Sequence, residues 1–313
     1  MFERLKALMG QKGEPPSPSE QTVLKRVHRI EKDLHALVEQ HEEVFRQLRR
    51  LQAGVDGLVR AAYVDPSTLP YPERLTAQRF RLQSQNQEDG ILWAIFQHIG
   101  VTDRRFVELG SGSSGGNAAM FAGELGWTGL VVEGDEGKAG VAARKFPRST
   151  AVCAWITPET VNDLLRDNGF AGEVDLFSLD IDGNDYWVWK AMTACTPRVV
   201  VLEYNSMFGP DRAVTIPYDP AFSRRDHRFC YFGASLAALT HLSAEKGYRL
   251  VTVEPTGVNA FFLRHDVAPE IPACEPARAY RLVDKYNELI REKQIDVFKW
   301  AAETGRTLVE TDS

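Results

Sequence analysis

The chain has 313 residues, 43% of them hydrophobic and 26% charged, with a formal net charge of −6. That bulk supports one ordinary core plus an appendage, or two small domains, and its acidic balance disfavours nucleic acid, which selects a basic face. No stretch reaches the ~20 apolar residues that a transmembrane segment needs, and Cys153, Cys195, Cys230 and Cys274 lie scattered without a CxxC pair, as expected of reduced thiols in a cytoplasmic protein.

Residues 1–22 read as a flexible N-terminus. Phe2, Leu5, Leu8 and Met9 share one helical face, which suits a frayed helix start or a peripheral membrane contact. There is no uninterrupted apolar run of the signal-peptide kind. "GEPPSPSEQ" then breaks the chain as a joint. From 23 to 60, Val23, Val27, Ile30, Leu34, Leu37, His41, Val44, Leu48, Leu51, Val55 and Leu58 recur at spacings of four and three. That pattern predicts a coiled coil and a homo-oligomer. His41 is the one polar seam residue, a device for fixing register. The alternative is a helix folded back on its own domain. Residues 61–75 carry prolines at 66, 70 and 72 and read as an extended linker.

Residues 76–270 read as the globular domain. "QEDGILWAIFQHIG" is a helix leading to the first strand. "RFVELG", "GLVVEG", "TAVCAW", "DLFSLDID" and "RVVVLEY" are strands, each followed by a helix or loop. Near-continuous apolar strands alternating with helices predict a parallel sheet covered on both faces. "YRLVTVEP" and "NAFFLRHD", joined by "TGV", form a hairpin that gives the sheet an antiparallel last strand. The tail, 271–313, reads as helical.

After the first strand, Gly110, Gly112 and Gly115 satisfy G-x-G-x-x-G, a turn that lets a ligand approach bare backbone. Any adenosyl ligand can use it. Glu108 precedes it by two residues, where an acid repels a pyrophosphate and attracts a sulfonium or ammonium. Glu133 ends the second strand and is placed to accept both ribose hydroxyls.

At this point the chain resembles class I S-adenosylmethionine-dependent methyltransferases and, more narrowly, the FkbM-type sugar and polyketide O-methyltransferases. "SQNQEDGIL", "FVELGSGSSGGN", "GLVVEGD", "SLDIDGNDYWVWKAM", "VVLEYNS" and "VNAFFLR" carry the likeness over roughly residues 80 to 265. The extra "SSGGN" stretch departs from the family pattern. The resemblance implies a Rossmann-like, doubly wound, mostly parallel seven-stranded sheet and S-adenosylmethionine as cofactor. It implies that Glu108, Gly110 and Ser111 line the methionine end, with Gly112, Asn117 and Asp180 completing that side. Glu133 then holds ribose, Ala154 and Trp155 flank adenine, and Gln85 covers the cofactor. Trp155 can equally be core, and Gln85 can be a cap for the helix starting near Glu88.

Ligands of open parallel sheets bind beyond the carboxyl ends of the strands. Asp180, Asp182, Asn184 and Asp185 follow the fourth strand; Glu203 and Asn205 end the fifth. Such a cluster must be neutralised. Mg²⁺ or another divalent metal on Asp182, Glu203 and Asn205 would do so, as would the cofactor's cation or a retained proton. The plainer alternative is that Asp182 and Asp185 cap the next helix. The candidates for the catalytic base are Asp182, then Glu203, then His227. The long insertion 207–239 carries Tyr218, Arg224, Arg225, His227, Tyr231 and Phe232. Its aromatic and arginine side chains suit a sugar or phosphate. Asn205, Tyr218, Arg224 and Tyr231 are the expected acceptor contacts. The expected function is O-methylation of a hydroxyl on a sugar, glycan or glycosylated metabolite, in polysaccharide biosynthesis or a related path. The rivals are an NAD(P)-dependent oxidoreductase and a non-catalytic coiled-coil scaffold.

Overall fold

A computed structural model describes residues 18–227, 230–283 and 296–311. The expected membrane-contacting face at Phe2 to Met9 and the first part of the joint lie outside these residues. The chain divides into two compact units, one ending at Gln52 and the other beginning at Ala53.

The first unit is described by helix α1, Pro18–Tyr63, which continues into the second unit. Among its seam residues Ile30, Leu34, Leu37, Val44, Leu48 and Leu51 are exposed, as are Val38 and Phe45 beside them. The His41 ring meets Phe45 edge-on at 4.6 Å. No described helix is long and apolar enough to cross a membrane.

In the second unit, the proline-rich stretch is not extended throughout. Asp65 accepts the Ser67 N–H and starts a 3₁₀ turn at Pro66–Thr68, and α2 follows at Glu73–Ala77. Proline has no N–H to lose at the first turn of a helix, so it can begin one there. Then come α3 (Glu88–Ile99), β1 (Arg105–Leu109), α4 (Ala119–Gly123), β2 (Thr128–Glu133), α5 (Glu136–Lys145) and β3 (Thr150–Cys153). They are followed by α6 (Val161–Asp167), β4 (Gly172–Leu179), α7 (Asp185–Ala191) and β5 (Cys195–Glu203). After the insertion, which contains β6 (Val214–Thr215), come α8 (Leu236–Glu245), β7 (Tyr248–Val253) and β8 (Asn259–Arg264). The tail supplies α9 (Pro276–Ala279), α10 (Val297–Glu303) and β9 (Val309–Glu310).

Seven strands form one sheet in the order β3-β2-β1-β4-β5-β8-β7. β1 to β5 are parallel, and β8 is antiparallel to both β5 and β7. The last strand of this sheet in chain order, β8, is thus inserted beside β5, leaving β7 at the edge. This is the strand order of the Rossmann-like methyltransferase fold. Alternation along the strands divides the core between two faces. Val107, Leu109, Leu130, Val132, Phe177 and Leu179 pack with Val161 of α6, Trp189 of α7 and Leu239 of α8. Phe106, Val131, Leu176, Val199 and Val201 pack with Ile91 and Ile95 of α3 and Phe121 of α4. Each such side chain contributes about 1.5–3 kcal/mol by leaving water.

The tail departs from its helical expectation. Residues 280–283 are not helical, β9 pairs antiparallel with β6, and 284–295 lie outside the described residues. The physical reason is a third core. Met207, Phe208, Val214, Phe222 and Phe232 of the insertion bury themselves with Val297 and Ala301 of the tail.

Candidate active site

At the carboxyl ends of β1 to β5 lies a cleft of about 630 Å³. Its floor is the glycine turn. Gly110, at φ +87°, passes so close to β4 that a Cβ would stand 1.6 Å from the Asp180 carbonyl oxygen. Gly112, at φ +57°, has nothing within 4 Å of a built Cβ, so its backbone lies bare. Ser111, Asn117 and Gln85 also line the cleft. Asn117 donates to the Ser178 hydroxyl at 3.1 Å.

Glu108 is not where the sequence places it. It is 1% exposed and does not line the cleft. Strand alternation turns it beneath the turn. There its carboxylate accepts the Ala118 N–H at 2.8 Å and the Ser178 hydroxyl at 2.9 Å. Burial raises its pKa to about 8. It therefore greets no ligand cation. It fills, from below, the backbone N–H position at a helix start that a pyrophosphate would otherwise use.

The residues that end β2 and follow β3 also reach the cleft. Glu133 lines the cleft and accepts N–H groups from Gly112 at 2.8 Å and Asp135 at 3.1 Å. Ala154 and Trp155 follow β3 on the same wall. Trp155 is 58% exposed, which removes the core alternative. Its ring lies against Gly134 and its indole N–H donates to the Pro220 carbonyl at 3.0 Å. Gln85 does not cap α3, whose N-cap is Gln87 with no side-chain bond. The segment before α3 is held instead by buried Asp89, one oxygen of which accepts N–H groups from Leu82, Gln83 and Ser84. Glu88 accepts from Asn86 and from Asn259. Two acids opening a helix behind a run of free N–H groups were the available signal.

The acids gather beyond β4 and β5. Oxygens of Asp180, Asp182 and Glu203 lie within 4.8 Å of one another, and all three residues line the cleft. Strand alternation is not the reason, because β4 stops at Leu179 and Asp182 sits in the left-handed region at φ +59°. A non-glycine residue held there costs of order 1–3 kcal/mol. Asp185 holds the turn by accepting the Ile181 and Gly183 N–H groups, each at 2.9 Å. Asp182 caps nothing; the N-cap of α7 is Asn184. Burial, then Asp185 and Asp182, raise the Asp180 pKa to about 7. Burial and Asp180 push Glu203 well above the carboxylate range, and its Oε2 is buried without a partner.

The insertion delivers a cation to this cluster. Arg224 hydrogen-bonds Asp182, lies 3.6 Å from Glu203 Oε1, and stacks 3.6 Å above the Phe232 ring. Arg224 thus neutralises the acids that the sequence left to a metal, the cofactor or a proton. The other expected acceptor contacts lie elsewhere. Asn205 is fully buried, donates to the Cys230 and Phe232 carbonyls and accepts the Met207 N–H. It is no cleft residue, and Asp180 replaces it in the oxygen cluster. Tyr218 bonds Glu159 at 2.6 Å, and Tyr231 donates to the Thr307 carbonyl at 2.7 Å while packing against the tail. His227 stacks flat on Phe222 at 4.7 Å, outside the cleft lining, with Nδ1 accepting from Arg306. It is thereby removed as a base. Phe222, Lys138 and Asn259 line the cleft without any local motif to announce them. Ser235 caps α8 by accepting the Ala238 N–H.

The class this defines is a Rossmann-like methyltransferase fold with a ligand cleft at its strand ends, an assignment resting on strand order. No family model matches the chain, and no curated protein matches it. Solved structures match at low identity. A TehB-like SAM-dependent methyltransferase from Corynebacterium glutamicum shares 13% identity over 54% of this chain and 85% of that one, with a TM-score of 0.31. A S-adenosylmethionine-dependent methyltransferase from Clostridium acetobutylicum shares 11% over 55% and 89%, with a TM-score of 0.37. The O-methyltransferase from Bacillus cereus, in complex with SAH, shares 16% over 68% and 89%, with a TM-score of 0.34.

Proposed function

We propose that the chain is an S-adenosylmethionine-dependent O-methyltransferase acting on a hydroxyl of a sugar, glycan or glycosylated metabolite. One observation carries this reading. Half-buried Asp180 and buried Glu203 line the same cleft as a bare glycine turn, while the nearby N–H position suited to a diphosphate is taken by Glu108. That arrangement favours a cationic adenosyl ligand over a dinucleotide. Gly110, Ser111, Gly112, Asn117 and Asp180 would hold the amino-acid end, Glu133 the ribose, and Ala154 with Trp155 the adenine, under Gln85. Bound there, S-adenosylmethionine supplies an electrophilic methyl group.

The chain's own groups align the acceptor oxygen and take its proton. Alignment is worth ~7–11 kcal/mol at best, and a base a further ~10²–10⁴-fold. Asp182 is the first candidate base, because it reaches the cleft and is held there against its backbone preference. Glu203, where burial and the neighbouring Asp180 favour the protonated form, serves as a proton holder. The oxygen trio of Asp180, Asp182 and Glu203 suits a divalent cation by its chemistry, with Arg224 as the alternative neutralising group. Helix α1 self-associates through its exposed stripe and gathers several catalytic units.

Calorimetry with S-adenosylhomocysteine and with NAD(H) tests the cofactor. Binding of NAD(H) alone overturns the reading. Intact-mass screening of glycan acceptors for a gain of one methylene tests the acceptor.

A further inference from the structure

We infer that Arg224 is a tethered stand-in for the cofactor's positive charge, and that its side chain sets how strongly the cleft prefers cationic S-adenosylmethionine over neutral S-adenosylhomocysteine. The inference rests on the cofactor proposed above and goes beyond it to a specificity residue.

Three observations carry it. The guanidinium already bonds Asp182 and stands 3.6 Å from Glu203, within the same cleft as the glycine turn. Glu203 is 8% exposed and keeps one buried oxygen without a partner, so Arg224 satisfies the acids only in part. The segments around Arg224 are fastened independently of it. Asn184 donates to the Asp219 carbonyl at 2.7 Å, Trp187 to the Ile216 carbonyl at 2.9 Å, and the Gly233 N–H to the Gly183 carbonyl at 3.0 Å. Phe222 closes over Gly183, where a Cβ would meet its ring at 2.4 Å. The insertion therefore stays in place when the arginine side chain swings from the acids. The adjustable element is one side chain with its charge, not a lid.

The two cofactor forms differ by one methyl group and the sulfonium charge it confers, so the change in the ratio of their Kd values between charged and uncharged variants reads the charge at this position. A cation already on the acids competes with the sulfonium and leaves the thioether unaffected. Methyl transfer removes that charge, and the arginine's return to the acids then favours release of the neutral product.

The test is calorimetry of the full chain with S-adenosylmethionine and S-adenosylhomocysteine separately. Arg224→Gln removes the charge and shortens the side chain, leaving a polar amide. It should tighten S-adenosylmethionine relative to S-adenosylhomocysteine by about tenfold, the scale of two unit charges ~4 Å apart at an effective dielectric of ~60, as in a water-filled cleft. Arg224→Lys should keep the ratio near that of the parent chain. Asp182→Asn, at an exposed position whose left-handed backbone asparagine tolerates, should shift the ratio the opposite way. This second variant decides the matter if Arg224→Gln does not fold. A ratio unchanged within twofold in a variant that binds both forms overturns the inference and leaves the cofactor intact. Failure of the parent chain to bind either form overturns the cofactor, and the inference with it.

Discussion

The Glu108 carboxylate accepts the Ala118 N–H at 2.8 Å from beneath the glycine turn. The acid two residues before the turn is therefore turned under the backbone and does not line the cleft. Glu108→Gln retains an acceptor for the Ala118 N–H and replaces the acceptor of the Ser178 hydroxyl with an amide donor, to which that hydroxyl can turn. It should leave S-adenosylhomocysteine affinity within a few-fold by calorimetry. A loss of a hundredfold would put Glu108 in contact with the ligand.

Two glycines of the same turn make a paired test. Gly110→Ala drives a Cβ into the Asp180 backbone, which cannot move without displacing β4. It should cost about 2–4 kcal/mol of stability. Gly112→Ala meets open space and should cost only about 1–2 kcal/mol, for its positive φ. It nevertheless covers the bare backbone of the cleft. Chemical denaturation should separate the two, and calorimetry should find cofactor binding weakened about tenfold or more in Gly112→Ala.

Asp182→Ala should lower turnover by about 10²–10⁴-fold and leave S-adenosylhomocysteine affinity within a few-fold. Steady-state kinetics with an acceptor found by mass screening checks the first part. Unchanged turnover removes Asp182 from proton transfer.

Several buried acids are shifted upward. Burial raises Glu108 to about 8, Asp180 to about 7, Asp185 to about 6 and Glu254 to about 7, a neighbouring acid adding to each. Each binds its proton more tightly folded than unfolded, so the native state carries more protons between about pH 4 and 8. Stability from these groups is full below the ordinary carboxylate range and is lost as pH rises through the folded values. Melting temperature of the ligand-free protein should fall from pH 5.5 to 8.5. Saturating S-adenosylmethionine, whose cation offsets Asp180 and Glu203, should flatten that slope. A slope the ligand leaves unchanged places its charge elsewhere.

Deleting residues 1–52, which end at the boundary of the second compact unit, should reduce mass per particle in light scattering and preserve cofactor binding. An unchanged mass rules out the α1 stripe as the association device.

The sequence by itself determined the sheet. The seven strand segments are apolar throughout because helices cover both faces, and period-two alternation plus the intervening helices carries that in local order. The glycine turn and Glu133 at its strand end were legible for the same reason: each acts within a few residues of its own position. Tertiary structure decided what depends on partners far along the chain. Which way Glu108 turns depends on Ser178, 70 residues away. That Asn205 and Tyr231 bind the insertion and tail together, not an acceptor, depends on carbonyls of Cys230 and Thr307. That Arg224 meets Asp182 across 42 residues depends on a third core built by Phe222, Phe232 and Val297. Local periodicity encodes which face a residue takes; only packing between distant segments encodes which charges meet.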